Sequence, residues 1–452
     1  MTDLFLKNIL SINPSKIPSG VYLEARICFL DYLACSCAGA FYFASKERDF
    51  IKSSGIGGND HFSTLLSLNC RSNPQIAALI NGLNSHVLEL DDGHRQGAIH
   101  VGGAIFSALL AIAEKEKINE RDFLYAAIIG YEVSIRLACA IQPGNKLRGY
   151  HATGTCGTLG ATVAIAIAMH FDFDQMKSAL SAAVTSAAGI LEMQEDDSDM
   201  KPLNVGRAAM DAIAAAYLGK ARFKAPKDAL GGKRGFLKVM TDEAKTSFLT
   251  DFSSGTFAIQ QIYRKTYAAC RHAHPAIEAA LTLRNNVIDS LGLLKPIKSI
   301  EVETYKLAIG GHDHKDISSV SSAKMSIPFS VALALYKGNA GMEAFTEENI
   351  NTPQILKLTQ KIFISENKKL SDLSPQKRAA ILHITLEDGT VFSQQVDYPK
   401  GEPENPLSKE EFKQKFIELM RISGISKEKC EKILLSAYNN NFSISEILSL
   451  LS

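Results

Sequence analysis

Between Glu89 and His100 the chain reads ELDDGHRQGAIH, which crowds Glu89, Asp91, Asp92, His94, Arg95 and His100 into one short stretch. Carboxylates and imidazoles at that density can move protons, and an arginine can grip a ligand carboxylate with two parallel hydrogen bonds. Three other stretches concentrate similar groups. RGYHATGTCGTLG carries Arg148 and His151, DDSDMKPLNVGRAA carries Lys201, Asn204 and Arg207, and YRKTYAACRHAH carries Lys265, Cys270, Arg271, His272 and His274. In three of the four, polar residues lead into Gly or Pro and then into an Ala-rich helical sequence. Helix N-termini present unpaired N–H groups and a partial positive charge, so several converging there would favour an anion. Plainer readings stand beside this one. Asp91 and Asp92 can be caps, His100 and His151 hydrogen-bonded structural histidines, and Lys201 a surface lysine beside Pro202.

Other chemistries find less support. GGHDH, with His312, Asp313 and His314, lacks the i, i+4 spacing of a helical histidine pair, so no metal is expected there. GxGxxG, GxxxxGK[ST] and GxSxG are absent, so nucleotide binding and a serine nucleophile elbow have no motif. The eight cysteines form no CxxC, which reads as buried free thiols in a reducing cytoplasm. A net charge of +1 without a charged tail argues against nucleic-acid and membrane-surface binding. No secretory or transit pattern opens the chain, and the longest apolar stretch, Gly160 to Met169, is too short to span a bilayer.

These groups need a scaffold, and 452 residues are too many for one typical core. The first 240 or so residues read as helix. Asn119 is placed to cap a helix reaching about Ile141, Asp172 or Asp174 another reaching Ala188, and VGRAAMDAIAAAYLGKARF forms a further one. Near Phe257 the pattern changes. IKSIEVETYKLAI, KIFISENKKL and AAILHITLEDGTVFSQQVDY alternate, and Asp388-Gly389 between two such runs signals a hairpin. A small antiparallel sheet is expected, then a linker at PKGEPENP, then helix from about Lys409. The expected organisation is mostly α: a large all-helical domain formed by 1–257 and 401–452, with a smaller α/β lid domain, 258–400, inserted.

HVLELDDGHR, IHVGGA, GYEVSIRLACAI, RGYHATGTCGTLGATVAIA, MKPLNVGRAAM and CRHAHPAIEAA occur in this order, and together they resemble the MmgE/PrpD family. That family includes 2-methylcitrate dehydratase, cis-aconitate decarboxylase and iminodisuccinate epimerase. The resemblance covers nearly the whole chain. It implies a helical domain with an α/β lid, a homodimer, a small polycarboxylate substrate and no metal or organic cofactor. Position by position it implies roles for Asp91, His100, His151, Lys201 and Lys265 in catalysis. It places Glu89, Asp92, Arg95, Asn204, Arg207, Cys270 and His272 around the substrate. The chain also departs from the family pattern. Glu89 replaces a frequent Asp, Gly93 a common Thr, and HVGG the usual HPSA. Asn204 stands where a histidine is usual, Cys270 where some members have histidine, and Phe329 where many have tyrosine.

The implied chemistry is abstraction of a proton next to a carboxylate, with water leaving in a 2-methylcitrate dehydratase-like reaction. Loss of carbon dioxide, or epimerisation with nothing lost, are the alternatives within the family. A metal-dependent hydrolase and a non-catalytic helical scaffold are the alternatives outside it. His100 and His151 are the expected proton-transfer pair, since imidazole titrates near neutrality. Asp91 either orients one of them or is itself the base. Lys201, Lys265 and Arg95 are expected to neutralise substrate carboxylates. Lys265 opens the lid segment, so the site is expected between the two domains.

Overall fold

A computed structural model describes residues 1–53, 62–68, 70–194, 198–290, 292–439 and 441–451. Helices of eight or more residues are numbered in chain order. The first eight are α1 (Thr2–Leu10), α2 (Ser19–Ser53), α3 (Pro74–Val87), α4 (Gly102–Glu116), α5 (Glu120–Ile141), α6 (Ala152–Ala168), α7 (Phe173–Ser186) and α8 (Leu203–Lys220). Their starts follow sequence chemistry. Asn73 accepts a hydrogen bond from the Ile76 N–H ahead of Pro74, Asn119 accepts from Asp122, and Asp172 forms a reciprocal capping box with Gln175. Every residue of α6 is buried, and α4, α5, α7 and α8 pack around it. Its Ala, Gly and Thr side chains make that enclosure possible, because small residues let helix axes approach. The approach of α3 and α8 is among the tight ones. A Cβ on Gly206 would lie 2.2 Å from the Leu79 carbonyl oxygen, so only glycine fits.

Ser19–Phe43 and Glu120–Ile141 are long and apolar enough to cross a bilayer, which the longest uninterrupted apolar run does not reveal. Their most apolar windows are 83% and 89% buried within the molecule, so here they serve as core helices.

The second layer is a four-stranded sheet: β1 (Ile297–Thr304), β2 (Ile362–Glu366), β3 (Ala380–Leu386) and β4 (Val391–Val396), in spatial order β2-β1-β3-β4. α9 (His274–Val287) packs on β3 and β4, and α10 (Ile327–Lys337) and α11 (Pro353–Gln360) lie between β1 and β2 in sequence. The sheet is mixed, not wholly antiparallel as the alternation suggests. β1 and β2 pair in parallel, because the chain returns through α10 and α11 and so re-enters in the same direction. β3 and β4 are the expected hairpin, with Gly389 at φ 87° in its turn.

Three helices close the chain: α12 (Lys409–Ile422), α13 (Lys427–Tyr438) and α14 (Ile444–Leu451). α12 and α13 pack on α2, and α14 packs on α13. The segment before them is more than a linker. Glu402 is buried and accepts from Arg271 at 2.7 Å and Arg95 at 2.8 Å, while the Gly401 carbonyl accepts from the Arg264 N–H. Two-stranded contacts also occur in the first half. The Ser63–Leu65 and Asp92–Gly93 strands are too short to show a period in sequence. The second matters for function. Asp92 pairs with Arg264 and Gly93 with Tyr263, which sets Lys265 beside the acidic stretch.

Candidate active site

The acidic stretch begins where α3 ends. Leu88 closes the helix and Glu89 takes a left-handed conformation, φ 55°, rare for a residue with a Cβ. The reversal brings His86, Glu89 and Asp91 together, and the Asp92–Arg264 ladder delivers Lys265 to them. Glu89 is bracketed by two ammonium groups: Lys265 lies 2.6 Å from Oε2 and Lys201 pairs with Oε1. Burial pushes the Glu89 carboxyl up, but Lys201, Lys265 and two histidines outweigh it and hold the group well below the usual range. Lys265 is fully buried, and Glu89 and Asp91 overcome its desolvation to keep it charged.

Asp91 serves two histidines. Its Oδ2 lies 2.8 Å from His86 Nδ1 and 3.2 Å from His100 Nδ1. Burial raises the Asp91 carboxyl, but His100, His86 and Lys265 together bring it well below the usual range. His100 Nδ1 also lies 2.9 Å from the Asp92 carbonyl oxygen. Both neighbours are acceptors, so Nδ1 carries the proton and neutral His100 keeps its lone pair on Nε2. Burial lowers the His100 pKa, which favours that neutral form.

His151 has the opposite tautomer. Asn204 Nδ2 lies 3.4 Å from the Ile190 carbonyl oxygen, which orients the amide, and 3.3 Å from His151 Nδ1. Nδ1 therefore accepts and Nε2 bears the hydrogen. The His100 and His151 rings are 6.3 Å apart, and both line one cavity of about 80 Å³.

The remaining wall of that cavity comes from the second half of the chain and the turn before α6: Tyr263, Cys270, His272, His312, Lys146 and Arg378. Lys146 and Arg378 stand out. Arg378 donates to the Arg95 carbonyl oxygen and Lys146 lies 3.5 Å from His272 Nε2, yet among the described residues neither has a carboxylate partner. Burial, with Arg378 and Lys201 nearby, lowers the Lys146 pKa. An anionic ligand would relieve both cations. Glu89 and Lys201 also line a larger depression of about 550 Å³, so this ion pair borders both cavities.

The expected residues fall into three groups. Glu89, Asp91, His100, His151, Lys201, Lys265, Asn204, Cys270 and His272 are brought together. Asp92 lies beneath them. Its carboxylate accepts from the Gly102 N–H at 2.9 Å and from the Tyr131 hydroxyl, so it caps α4 and does not reach the cavity. Arg95 and Arg207 are turned elsewhere. Arg95 forks Glu402 and Glu404, and Arg207 pairs with Asp211 at 2.8 Å and donates to the Ser186 carbonyl oxygen. Each is already neutralised by a protein carboxylate.

Sequence reading missed His86, Lys146, His312 as a cavity residue, and Arg378. His86, three residues before Glu89, carried a usable signal. Arg378, far along the chain, carried none.

Two groups converge closely enough to chelate an ion, namely His86, Asp91 and His100, and Cys270, His272 and His312. Ammonium groups oppose a dication at both, since Lys265 lies 3.7 Å from Asp91 and Lys146 faces His272 Nε2.

Comparison with known proteins places the chain in a family. The MmgE/PrpD N-terminal domain matches residues 5–249 and the MmgE/PrpD C-terminal domain matches 267–440. The cis-aconitate decarboxylase-like protein oryM of Aspergillus oryzae is 25% identical over 475 residues, covering 98% of this chain and 95% of its own. Human cis-aconitate decarboxylase is 27% identical over 437 residues, 92% of this chain and 87% of its own. The mitochondrial 2-methylcitrate dehydratase of Yarrowia lipolytica is 24% identical over 425 residues, 88% of this chain and 80% of its own.

Proposed function

This chain belongs to the MmgE/PrpD family, and from that premise we propose that it is a lyase acting on a small tricarboxylate by proton transfer at a carbon next to a carboxylate. One observation carries the reading: two histidines of opposite tautomer line a single cavity whose nearest unneutralised groups are cations. Substrate carboxylates would sit against Lys146 and Arg378. His100 Nε2 then takes a proton from the carbon beside a carboxylate, and His151 Nε2–H gives one to the departing hydroxyl. Carbon–hydrogen and carbon–oxygen bonds break, a carbon–carbon double bond forms, and water leaves. Asp91 holds His100 in the required tautomer. Fixed ammonium groups meet the charge that builds on the carboxylate without needing to reorganise.

That sequence is a dehydration of the 2-methylcitrate type. Decarboxylation is favoured by a separate observation: relatives named cis-aconitate decarboxylase match over 92% and 96% of the chain. In that reaction His151 delivers its proton to the carbon skeleton after carbon dioxide departs. Proton NMR of the purified protein with 2-methylcitrate, citrate and cis-aconitate separates the two. Collapse of the 2-methylcitrate methyl doublet to an allylic methyl singlet supports dehydration, and loss of carbon dioxide from cis-aconitate supports decarboxylation. No conversion of any of the three by folded protein would defeat the proposal.

A further inference from the structure

The tautomeric pair leaves one reactive group of the cavity unused. Cys270 sits at the start of the turn before α9 and lines the same cavity as His100 and His151. Its sulfur lies 3.8 Å from His312 Nε2. His312 Nδ1 lies 3.0 Å from the Met325 carbonyl oxygen, so Nδ1–H donates there and the ring is fixed with Nε2 toward sulfur. A thiol, an imidazole and an orienting acceptor in that order make an activated nucleophile. The electrostatics agree. Burial raises the Cys270 thiol, but His312 and Lys201 pull it down to about 6, and burial of His312 is outweighed by the sulfur, which raises its pKa. Glu89 opposes thiolate formation, and Lys146 opposes charge on His312. The other cysteines with a resolved shift, Cys28, Cys35, Cys37, Cys70, Cys139, Cys156 and Cys430, all move upward.

A thiolate within a cavity built for carboxylates meets whatever carbon skeleton those carboxylates carry. We propose that Cys270 and His312 act as a nucleophile–acid pair that captures α,β-unsaturated polycarboxylates in the cavity as a reversible thioether. The ligand class rests on the reading under Proposed function. A carbon–sulfur bond forms between Cys270 Sγ and the β-carbon, and the alkene π bond breaks. Its electron pair moves to the α-carbon, which takes the Nε2 proton of His312, leaving that ring neutral. Nothing is oxidised or reduced. The reverse elimination returns the alkene and the starting ion pair. Since dehydration and decarboxylation of tricarboxylates both involve alkenes conjugated to carboxylates, the adduct would make the enzyme self-limiting when unsaturated acid accumulates.

The test uses maleate as the unsaturated probe, succinate as its saturated control and iodoacetamide as a neutral electrophile. Intact-mass and peptide mass spectrometry follow the full-length protein at neutral pH. The expected result is one maleate per chain on Cys270, added about tenfold or more faster than to exposed Cys70, as a larger thiolate fraction implies. Succinate gives no adduct, citrate protects Cys270, and His312→Gln slows addition at least severalfold while leaving Cys70 unchanged. Cys270→Ser should lose the adduct altogether. Absence of a maleate adduct while citrate still shields Cys270 from iodoacetamide overturns the capture step and leaves the lyase reading standing. Maleate addition at Cys270 no faster than at Cys70 also overturns it. Failure of citrate to shield Cys270 from iodoacetamide counts instead against a polycarboxylate cavity, and with it against the lyase reading.

Discussion

Glu89 is held ionised by Lys201 and Lys265, and the three depend on one another. Glu89→Gln would leave Lys265 charged, fully buried and without its nearest anion. The expected cost is about 3–5 kcal/mol of stability at neutral pH, measurable as a lower urea midpoint. The pH dependence has a defined sign. The folded-state Glu89 pKa lies below its ordinary value of 4.5, so its contribution is complete above about 4.5 and fades as pH falls below that. The gap between wild type and Glu89→Gln should therefore narrow on acidification from there. At the proton-transfer pair, His100→Ala and His151→Ala should each lower kcat by about a hundredfold or more on any substrate turned over, with circular dichroism unchanged. Near-normal rates in both would remove them from the chemistry. Burial lowers the His100 pKa from 6.5, so the base stays unprotonated through pH 6.5 and the acid limb of kcat/KM should lie below that value. These residue types and their spacing were readable in the sequence. Their pairing was not, since what neutralises Arg95 or Lys265 depends on chain segments hundreds of residues away.

At the scale of elements, cap chemistry made two helix starts legible: Asn119 and Asp172 each accept the expected backbone hydrogen bond. Strand direction was less legible. Alternation in β1 and β2 reports which face is buried, whereas their parallel pairing follows from the intervening helices. Two departures from the family pattern gain a reason here. Glycine at 93 is required because a Cβ there would lie 2.4 Å from the Tyr263 hydroxyl, so Tyr263 fills the space a threonine would need. Asn204, in place of a histidine, sets the His151 tautomer. The α3–α8 crossing positions both halves of the site, with Glu89 following α3 and Lys201 and Asn204 leading into α8. Gly206→Ala would force that crossing apart. A loss of about 1–3 kcal/mol is expected, together with reduced turnover, because the Glu89–Lys201 pair would be displaced. Unchanged thermal stability would contradict the packing account.

Across the whole molecule, the helical layer supplies His86, His100, His151, Glu89 and Asp91, and the later segments supply Lys265, Cys270, His272, His312 and Arg378. Glu402 ties the two together through Arg95 and Arg271, and it is almost completely buried. Glu402→Ala should loosen that junction, lowering stability and raising KM as the cavity wall shifts. The homodimer implied by family resemblance remains a proposal, and sedimentation velocity would report whether two chains travel together. The function proposed for the cavity requires that it move a proton at carbon. Incubation of wild-type protein with citrate, 2-methylcitrate and cis-aconitate in deuterated water, followed by NMR, reads this without requiring net conversion. Deuterium entering the carbon beside a carboxylate of at least one of these acids, and not in the His100→Ala protein, is the expected result. Wild-type protein that binds these acids yet leaves every such carbon–hydrogen bond unexchanged and unconverted would contradict it.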